Sequence, residues 1–264
     1  MIKHTLNYTC LLLMFVLTSF SGKKDQKINI VFIGDSITEG SALADPKTEA
    51  TPLYVAEVLK HRKGISSVNI SNRGFSGHTT VDFLPKNNID FPKVVQAADS
   101  YAQDKSSVLL FSIMLGTNDS AMFGPNGAPV QAAQYKDNLN VLINTLIEKY
   151  PGAKFIIQYP LWYSPNTHNN AGYMQEGLNR LSSYFSQIEA LYAEYKLSHP
   201  NRVYLGNKGV FGFFQKNHKK LFKAENGKHG TFYLHPNAEG SKALAEFWVK
   251  GILKAIDGPV LMVR

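Results

Sequence analysis

The chain has 264 residues, of which 44% are hydrophobic and 18% charged, an ordinary composition for a globular protein. At this length a single domain can bury a full hydrophobic core. Cys10 is the only cysteine, which excludes disulfides and thiolate metal sites from the rest of the chain. The formal net charge of +8 favours acidic surroundings, but it does not identify the acidic partner.

The N-terminal residues have the pattern of a secretory signal peptide. Lys3 precedes an apolar run over residues 10–17, and small residues follow up to Gly22. We therefore predict a signal peptide over 1–22, a mature domain over 23–264, and export to the periplasm or out of the cell. The alternative is an uncleaved anchor, although the apolar run is short for crossing a bilayer.

Strands and helices alternate along the predicted mature chain. Runs rich in Ile and Val predict strands, and apolar residues at helical spacing predict helices. The predicted strands cover residues 28–33, 68–70, 108–115, 154–159 and 202–205, and the predicted helices cover 51–64, 90–103, 131–150, 175–198 and 237–256. Because such alternation implies right-handed parallel crossovers, we predict a three-layer α/β/α sandwich around a five-stranded parallel sheet. In such sheets ligands bind beyond the carboxyl ends of the strands.

The first predicted strand ends at Gly34, and Asp35 and Ser36 follow at once. A hydroxyl at this place is a candidate nucleophile, because Gly34 and Gly40 let the backbone turn tightly around it. The same residues are also explained by a capped strand-to-helix turn, since Asp and Ser are common N-cap residues. Asp35 is expected to brace this turn rather than act on a substrate.

Four sequence blocks resemble the ordered motifs of the SGNH, or GDSL-type, hydrolases. They are Gly34–Thr38, Asn72 with Gly74, Gly116–Asp119 and His235–Asn237. The blocks occur in the family's order and span residues 34–237, nearly all of the predicted mature chain. The resemblance implies a flavodoxin-like α/β fold, serine esterase activity, and neither a cofactor nor a metal.

The resemblance also implies roles for single residues. Ser36 is the expected nucleophile and His235 the base that takes its proton. The backbone N–H groups of Ser36 and Gly74 and the side-chain amide of Asn118 are expected to hold the oxyanion. Each residue also has a plainer explanation, as a turn residue or a surface histidine.

The sequence departs from the family pattern at the acid of the triad. The family places an Asp three residues before the His, and this chain has Phe232 there, with no Asp between Asp137 and Asp257. Three alternatives remain open. A main-chain carbonyl orients His235 in a Ser–His dyad, which we favour; or Glu225, on a predicted flexible loop, supplies the acid; or the chain has lost most of its activity.

The substrate is indicated only by an aromatic cluster after the fourth predicted strand. Tyr159, Trp162 and Tyr163 are candidates to bind a sugar ring or an acyl group, and core packing explains them equally well. By analogy with the family, we expect removal of a small acyl group, acetyl above all, from a carbohydrate. The alternatives are a lysophospholipase or thioesterase of the same fold, or a non-catalytic glycan-binding protein.

The expected partners are a small ester or an acetylated glycan, with no nucleic acid and no stable membrane insertion after signal cleavage. The oligomeric state is not predicted. A basic cluster consists of Lys216, His218, Lys219, Lys220, Lys223 and Lys228. Such a cluster is usually a solvated surface, and an anionic glycan, a nucleic acid or a membrane are its alternative partners. His78, His168, His199, His218 and His229 lack the spacing to carboxylates that indicates a metal site.

Overall fold

The computed structural model describes residues 25–257, so the predicted signal peptide lies outside the described residues. A five-stranded parallel sheet in the order β2-β1-β3-β4-β5 forms the centre of the fold. Its strands are β1 (Gln26–Gly34), β2 (Ile65–Gly74), β3 (Ser107–Met114), β4 (Lys154–Ile157) and β5 (Val203–Leu205). The predicted α/β/α sandwich with five parallel strands is confirmed.

Helices connect the strands and continue to the end of the described chain. They are α1 (Ser36–Glu39), α2 (Pro46–Glu49), α3 (Thr51–Lys60), α4 (Phe91–Ala102), α5 (Ala132–Lys149), α6 (Met174–Ser198), α7 (Val210–Lys216), α8 (His218–Leu221) and α9 (Ala238–Asp257). A 3₁₀ turn covers Pro85–Asn87, and a small antiparallel hairpin joins β6 (Glu225–Gly227) to β7 (Gly230–Phe232). No described helix has the length and apolar character needed to cross a membrane.

The central strands form because their side chains are apolar on both faces. In β1, Ile28 and Ile30 to Ile33 are buried, as expected for a parallel strand covered on both sides. On one face α3 packs against β2 and α9 against β4 and β5; on the other, α4 packs on β1 and β3, and α5 packs beside α6. The Phe32 ring of β1 stacks on Trp248 of α9 with centroids 5.5 Å apart, which joins sheet and helix layer.

The order of the strands determines where a site can form. The chain passes from β1 to β2 on one side and then to β3 on the other, so the strand order reverses between β1 and β3. The loops after these two strands therefore leave a crevice at the carboxyl edge of the sheet. Gly34 pairs with Met114 at that edge, which brings the segments that follow both strands together.

Candidate active site

Ser36 lies at the carboxyl edge of the sheet, where β1 ends at Gly34 and α1 begins. Asp35 caps α1, since its Oδ1 accepts a hydrogen bond of 2.9 Å from the Ile37 N–H. A Cβ on Gly34 would lie 2.0 Å from Thr38 Oγ1, so only glycine lets Thr38 pack this close to the end of β1. Asp35 thus braces the turn that presents Ser36, as expected.

His235 is in hydrogen-bond contact with Ser36 although 199 positions separate the two residues in sequence. Its Nε2 lies 3.0 Å from Ser36 Oγ, the distance that a base needs to take the hydroxyl proton. The His235 carbonyl accepts a hydrogen bond of 2.9 Å from the Lys223 N–H, which fixes the backbone just before α9. The structure therefore brings the predicted nucleophile and the predicted base together.

Glu225 lies on the other side of the His235 ring. Nδ1 of His235 is 2.9 Å from Glu225 Oε1 and 3.0 Å from Oε2, and the His235 N–H donates to Oε1 at 3.2 Å. A carboxylate at Nδ1 fixes the tautomer in which Nε2 can accept a proton from Ser36. The favoured expectation of a main-chain carbonyl at this position does not match the geometry, because the acceptor is the Glu225 carboxylate.

The hairpin β6–β7 explains how Glu225 reaches His235. Glu225 pairs with Phe232 across the two strands, and β7 leads directly to His235. The predicted flexible loop around Glu225 is therefore a strand, and β7 begins after the turn at Gly230, which has a φ of +84°. Phe232, which stands where the family has Asp, is buried in the core at 1% exposure.

Asn118 is buried beside the two catalytic candidates and is held at both ends of its amide. Its Nδ2 donates to the His78 carbonyl at 2.9 Å, and its Oδ1 accepts from the Tyr173 hydroxyl at 2.6 Å. An amide nitrogen carries two hydrogens, so the bond to His78 leaves one for a ligand. This geometry suits the expected donor to an oxyanion.

Gly74 does not match the expected oxyanion donor, because its N–H is already bonded, whereas within the described chain the N–H of Gly77 is not. The Gly74 N–H is engaged by Asn72 Oδ1 at 2.9 Å, and a Cβ on Gly74 would lie 2.2 Å from the Glu39 backbone nitrogen. Gly74 is therefore a packing glycine at the end of β2. Gly77, three residues later, lines the cavity beside Ser36 with a φ of +79°, and its N–H has no partner among the described residues. The sequence placed both glycines in one loop, and only the fold distinguishes them.

A cavity of about 590 Å³ opens over these groups. Ser36, Gly77, Asn118 and His235 belong to its lining. Much of its remaining lining is polar, from His78, Asp82, Asn126, Asn169 and Asn170. This polar lining could not be predicted from the sequence, because its members come from separate loops.

The aromatic cluster predicted to bind substrate is not part of this cavity. Tyr159, Trp162 and Tyr163 are buried, and none of them is among the lining residues. Trp162 packs against the His218 ring at 5.3 Å, and the Tyr163 hydroxyl lies 2.9 Å from Ser120 Oγ. These three residues therefore do not match the expected role in substrate binding, and they pack in the core instead.

Two buried carboxyl groups lie directly beside the site residues in sequence. Burial raises the pKa of Asp35 to about 6, against the lowering effects of the Ile37 N–H and of His235. Burial raises the pKa of Asp119 to about 7, although Thr80 donates to its Oδ1 through both its N–H and its hydroxyl. The Oδ2 atom of each has no partner among the described residues, so the ionised forms are poorly compensated.

The basic cluster extends from α7 through α8 and the segment after it to the turn of the hairpin that carries Glu225. Lys216, Lys219, Lys223 and Lys228 are exposed, and Lys220 pairs with Glu239 at 2.6 Å. The His218 ring packs on Trp162, which ties the cluster to the core. Contact with an anionic partner stays a prediction.

Comparisons with known proteins agree with the fold. A model of the GDSL-like lipase/acylhydrolase family matches residues 32–243, which is most of the chain. No curated protein matches the sequence.

Several solved structures share the fold at low sequence identity. A catalytic variant of an acetylxylan esterase from Geobacillus stearothermophilus is 20% identical, with a TM-score of 0.57 over 92% of this chain and 100% of its own. A lipase/acylhydrolase from Enterococcus faecalis is 17% identical, with a TM-score of 0.57 over 85% of this chain and 95% of its own. A carbohydrate acetylesterase from Sinorhizobium meliloti is 16% identical, with a TM-score of 0.55 over 85% of this chain and 98% of its own.

Proposed function

Because the chain belongs to the GDSL-like lipase/acylhydrolase family, we propose that it is a serine esterase that removes an acetyl group from a carbohydrate hydroxyl. The observation that carries the proposal is the line of three side chains Ser36, His235 and Glu225. Ser36 Oγ is 3.0 Å from His235 Nε2, and His235 Nδ1 is 2.9 Å from Glu225 Oε1. This arrangement supplies what acyl transfer to a hydroxyl uses: a nucleophile, a base, and a group that orients the base.

In the proposed reaction Ser36 Oγ attacks the ester carbonyl while His235 Nε2 takes the hydroxyl proton. Glu225 stabilises the imidazolium that forms. The C–O bond to the alcohol then breaks, and His235 returns the proton to the leaving oxygen. A water molecule, deprotonated by His235, attacks the acyl-enzyme, and acetate leaves as Ser36 recovers its proton.

The negative charge on the carbonyl oxygen needs donors during both steps. We assign this role to the N–H groups of Ser36 and Gly77 and to Asn118 Nδ2. The Ser36 and Gly77 N–H groups have no partner among the described residues, and Asn118 Nδ2 keeps one hydrogen free. Donors held in place before the reaction stabilise the oxyanion without reorganisation.

The polar lining of the cavity supports a small acyl group on a hydroxylated alcohol. Asn126, Asn169 and Asn170 present amide groups, whereas a long acyl chain needs a continuous apolar slot. The solved relatives named for activity on acetylated xylan and carbohydrates support the same substrate class. Export of the mature enzyme is part of the proposal.

The experiment measures acetate released from acetylated xylo-oligosaccharides and product released from simple esters with acyl chains from acetyl to octanoyl. We expect acetyl esters to react fastest and Ser36→Ala to reduce turnover by at least about a thousandfold. Ser183→Ala is the matched control, because Ser183 is exposed on α6. A preference for octanoyl esters would indicate a lipase or lysophospholipase instead. Glycan binding without release of any acyl group would leave only a binding protein.

A further inference from the structure

A second histidine and carboxylate pair lies at the cavity, outside the groups assigned to the reaction. His78 lines the cavity that contains Ser36 and His235, and its Nδ1 is hydrogen-bonded to Asp90 Oδ2. Asp90 is fully buried, and its other oxygen accepts a hydrogen bond of 2.9 Å from Lys93 Nζ. A buried carboxylate thus fixes one edge of the His78 ring.

Neighbouring groups hold the ring and its backbone in place. The Phe75 ring lies 5.7 Å from the His78 ring, and Lys93 Nζ lies 4.3 Å above Phe75. The His78 carbonyl accepts the Asn118 amide, so this residue is also connected to the proposed oxyanion donor. The position of His78 is therefore determined on three sides.

The opposite edge of the ring has no such partner. The His78 side chain is 33% exposed, and its Nε2 makes no hydrogen bond within the described part of the chain. Since Nδ1 points to Asp90, Nε2 points away from it. A neutral ring with its proton on Nδ1 offers Nε2 as an acceptor, and a protonated ring offers it as a donor.

We propose that His78 Nε2 binds a hydroxyl group on the alcohol half of the ester and so selects polyhydroxylated acyl acceptors. A hydroxyl both donates and accepts, so it satisfies Nε2 in either protonation state. An apolar alcohol in the same place would leave Nε2 without water and without a partner, which is a cost that discriminates against it. This inference rests on the proposed esterase function and adds the residue that recognises the alcohol.

The test compares two acetyl esters of similar shape. One is a mono-acetylated methyl glycoside, and the other is cyclohexyl acetate, which has a six-membered ring without hydroxyl groups. The quantity measured is the ratio of kcat/KM for the glycoside to kcat/KM for cyclohexyl acetate. Because a change in the acyl-transfer step affects kcat/KM for both esters equally, it cancels in this ratio.

Two substitutions separate the two edges of the ring. His78→Asn places an amide near the position of Nδ1 and keeps a donor for Asp90, but it removes the ring edge that carries Nε2. His78→Gln extends an amide to about the position of Nε2. His61→Asn is the control, because His61 is exposed at the end of α3 with its ring 75% accessible.

We expect His78→Asn to lower the ratio roughly tenfold, the usual effect of losing one hydrogen bond, mainly through KM for the glycoside. His78→Gln should recover at least half of the wild-type ratio, and His61→Asn should leave it within about twofold. An unchanged ratio in His78→Asn, or an equal loss in His78→Gln, would overturn the inference. If wild-type protein cleaves neither ester, the proposed function itself fails, which is a separate outcome.

Discussion

Glu225 and Phe232 face each other as a cross-strand pair in the β6–β7 hairpin. Directly opposed residues of an antiparallel pair lie about 5 Å apart. The Glu225 carboxylate is therefore close to position 232, where the family pattern has the Asp. Phe232 fills the core, and Glu225 contacts His235 through both of its oxygens. In this chain the carboxylate that contacts the imidazole is therefore on the strand opposite Phe232.

The Glu225 carboxylate is therefore expected to control the tautomer of His235. Glu225→Gln keeps the size of the side chain but removes its charge, and we predict a fall in kcat on the order of a hundred- to ten-thousandfold, as for the acid of other triads. Steady-state kinetics on an acetyl ester measures it. Glu246→Gln, on the exposed face of α9, is the control. Full activity of Glu225→Gln would restore the idea of a dyad.

Asn118 is expected to act in the transition state rather than in substrate binding. Asn118→Ala should lower kcat by about a hundred- to a thousandfold with little change in KM, because an oxyanion donor is lost. Tyr173→Phe removes the hydroxyl that holds the amide at 2.6 Å and should cost less, about tenfold. Asn179→Ala, exposed on α6, is the control. A loss of activity expressed only in KM would argue against this role.

The buried carboxyl groups Asp35 and Asp119 predict the pH dependence of stability. Their pKa values, raised to about 6 and about 7, mean that the folded protein holds more protons than the unfolded chain between about pH 4 and pH 7. The free energy of unfolding should therefore fall as pH rises through this window, by about 1.4 kcal/mol for each unit of pKa shift.

Urea unfolding at several pH values tests the effect of Asp119. Asp119→Asn retains an oxygen for Thr80 but cannot ionise, so it should flatten the fall in stability between pH 4 and pH 7. Asp137→Asn, exposed on α5, should leave the profile unchanged. The same slope in wild type and Asp119→Asn would show that this carboxyl is not the source.

Trp162 is expected to contribute to stability and not to substrate binding. It is buried and packs against His218 and Phe222, away from the cavity. Trp162→Phe should lower the free energy of unfolding by about 1 to 3 kcal/mol, because a large buried ring is replaced by a smaller one. KM for acetylated oligosaccharides should stay within about twofold. A several-fold rise in KM at unchanged stability would return Trp162 to the substrate site.

The sheet and its large helices were predictable from the sequence, because buried parallel strands such as β1 are continuous apolar runs. Ser36, Asn118 and His235 were predictable from the motifs. The sequence left three alternatives for the group that orients His235, and Glu225 was one of them but not the favoured one. Three-residue strands such as Glu225–Gly227 are too short and polar to have a recognisable period, so the hairpin that places Glu225 could not be predicted.

Other parts of the site depended on distances that no pattern encodes. Gly74 ends β2 and Gly77 lies three residues later in the following loop, and the choice between them depends on which N–H is already bonded. Likewise, an aromatic residue after a strand, such as Trp162, can line a cavity or pack beneath it with the same sequence signal. The amide groups of the cavity come from separate loops, and only the folded chain brings them together.

The most direct measurement is the mass and the site of a covalent adduct formed with a fluorophosphonate ester, which reacts with activated serine hydroxyl groups. We predict one phosphonyl group per chain, located on Ser36 by peptide mass spectrometry, absent in Ser36→Ala and formed more slowly in Glu225→Gln. Acetate release by a protein that takes no adduct, or takes it on another residue, would contradict Ser36 as the nucleophile.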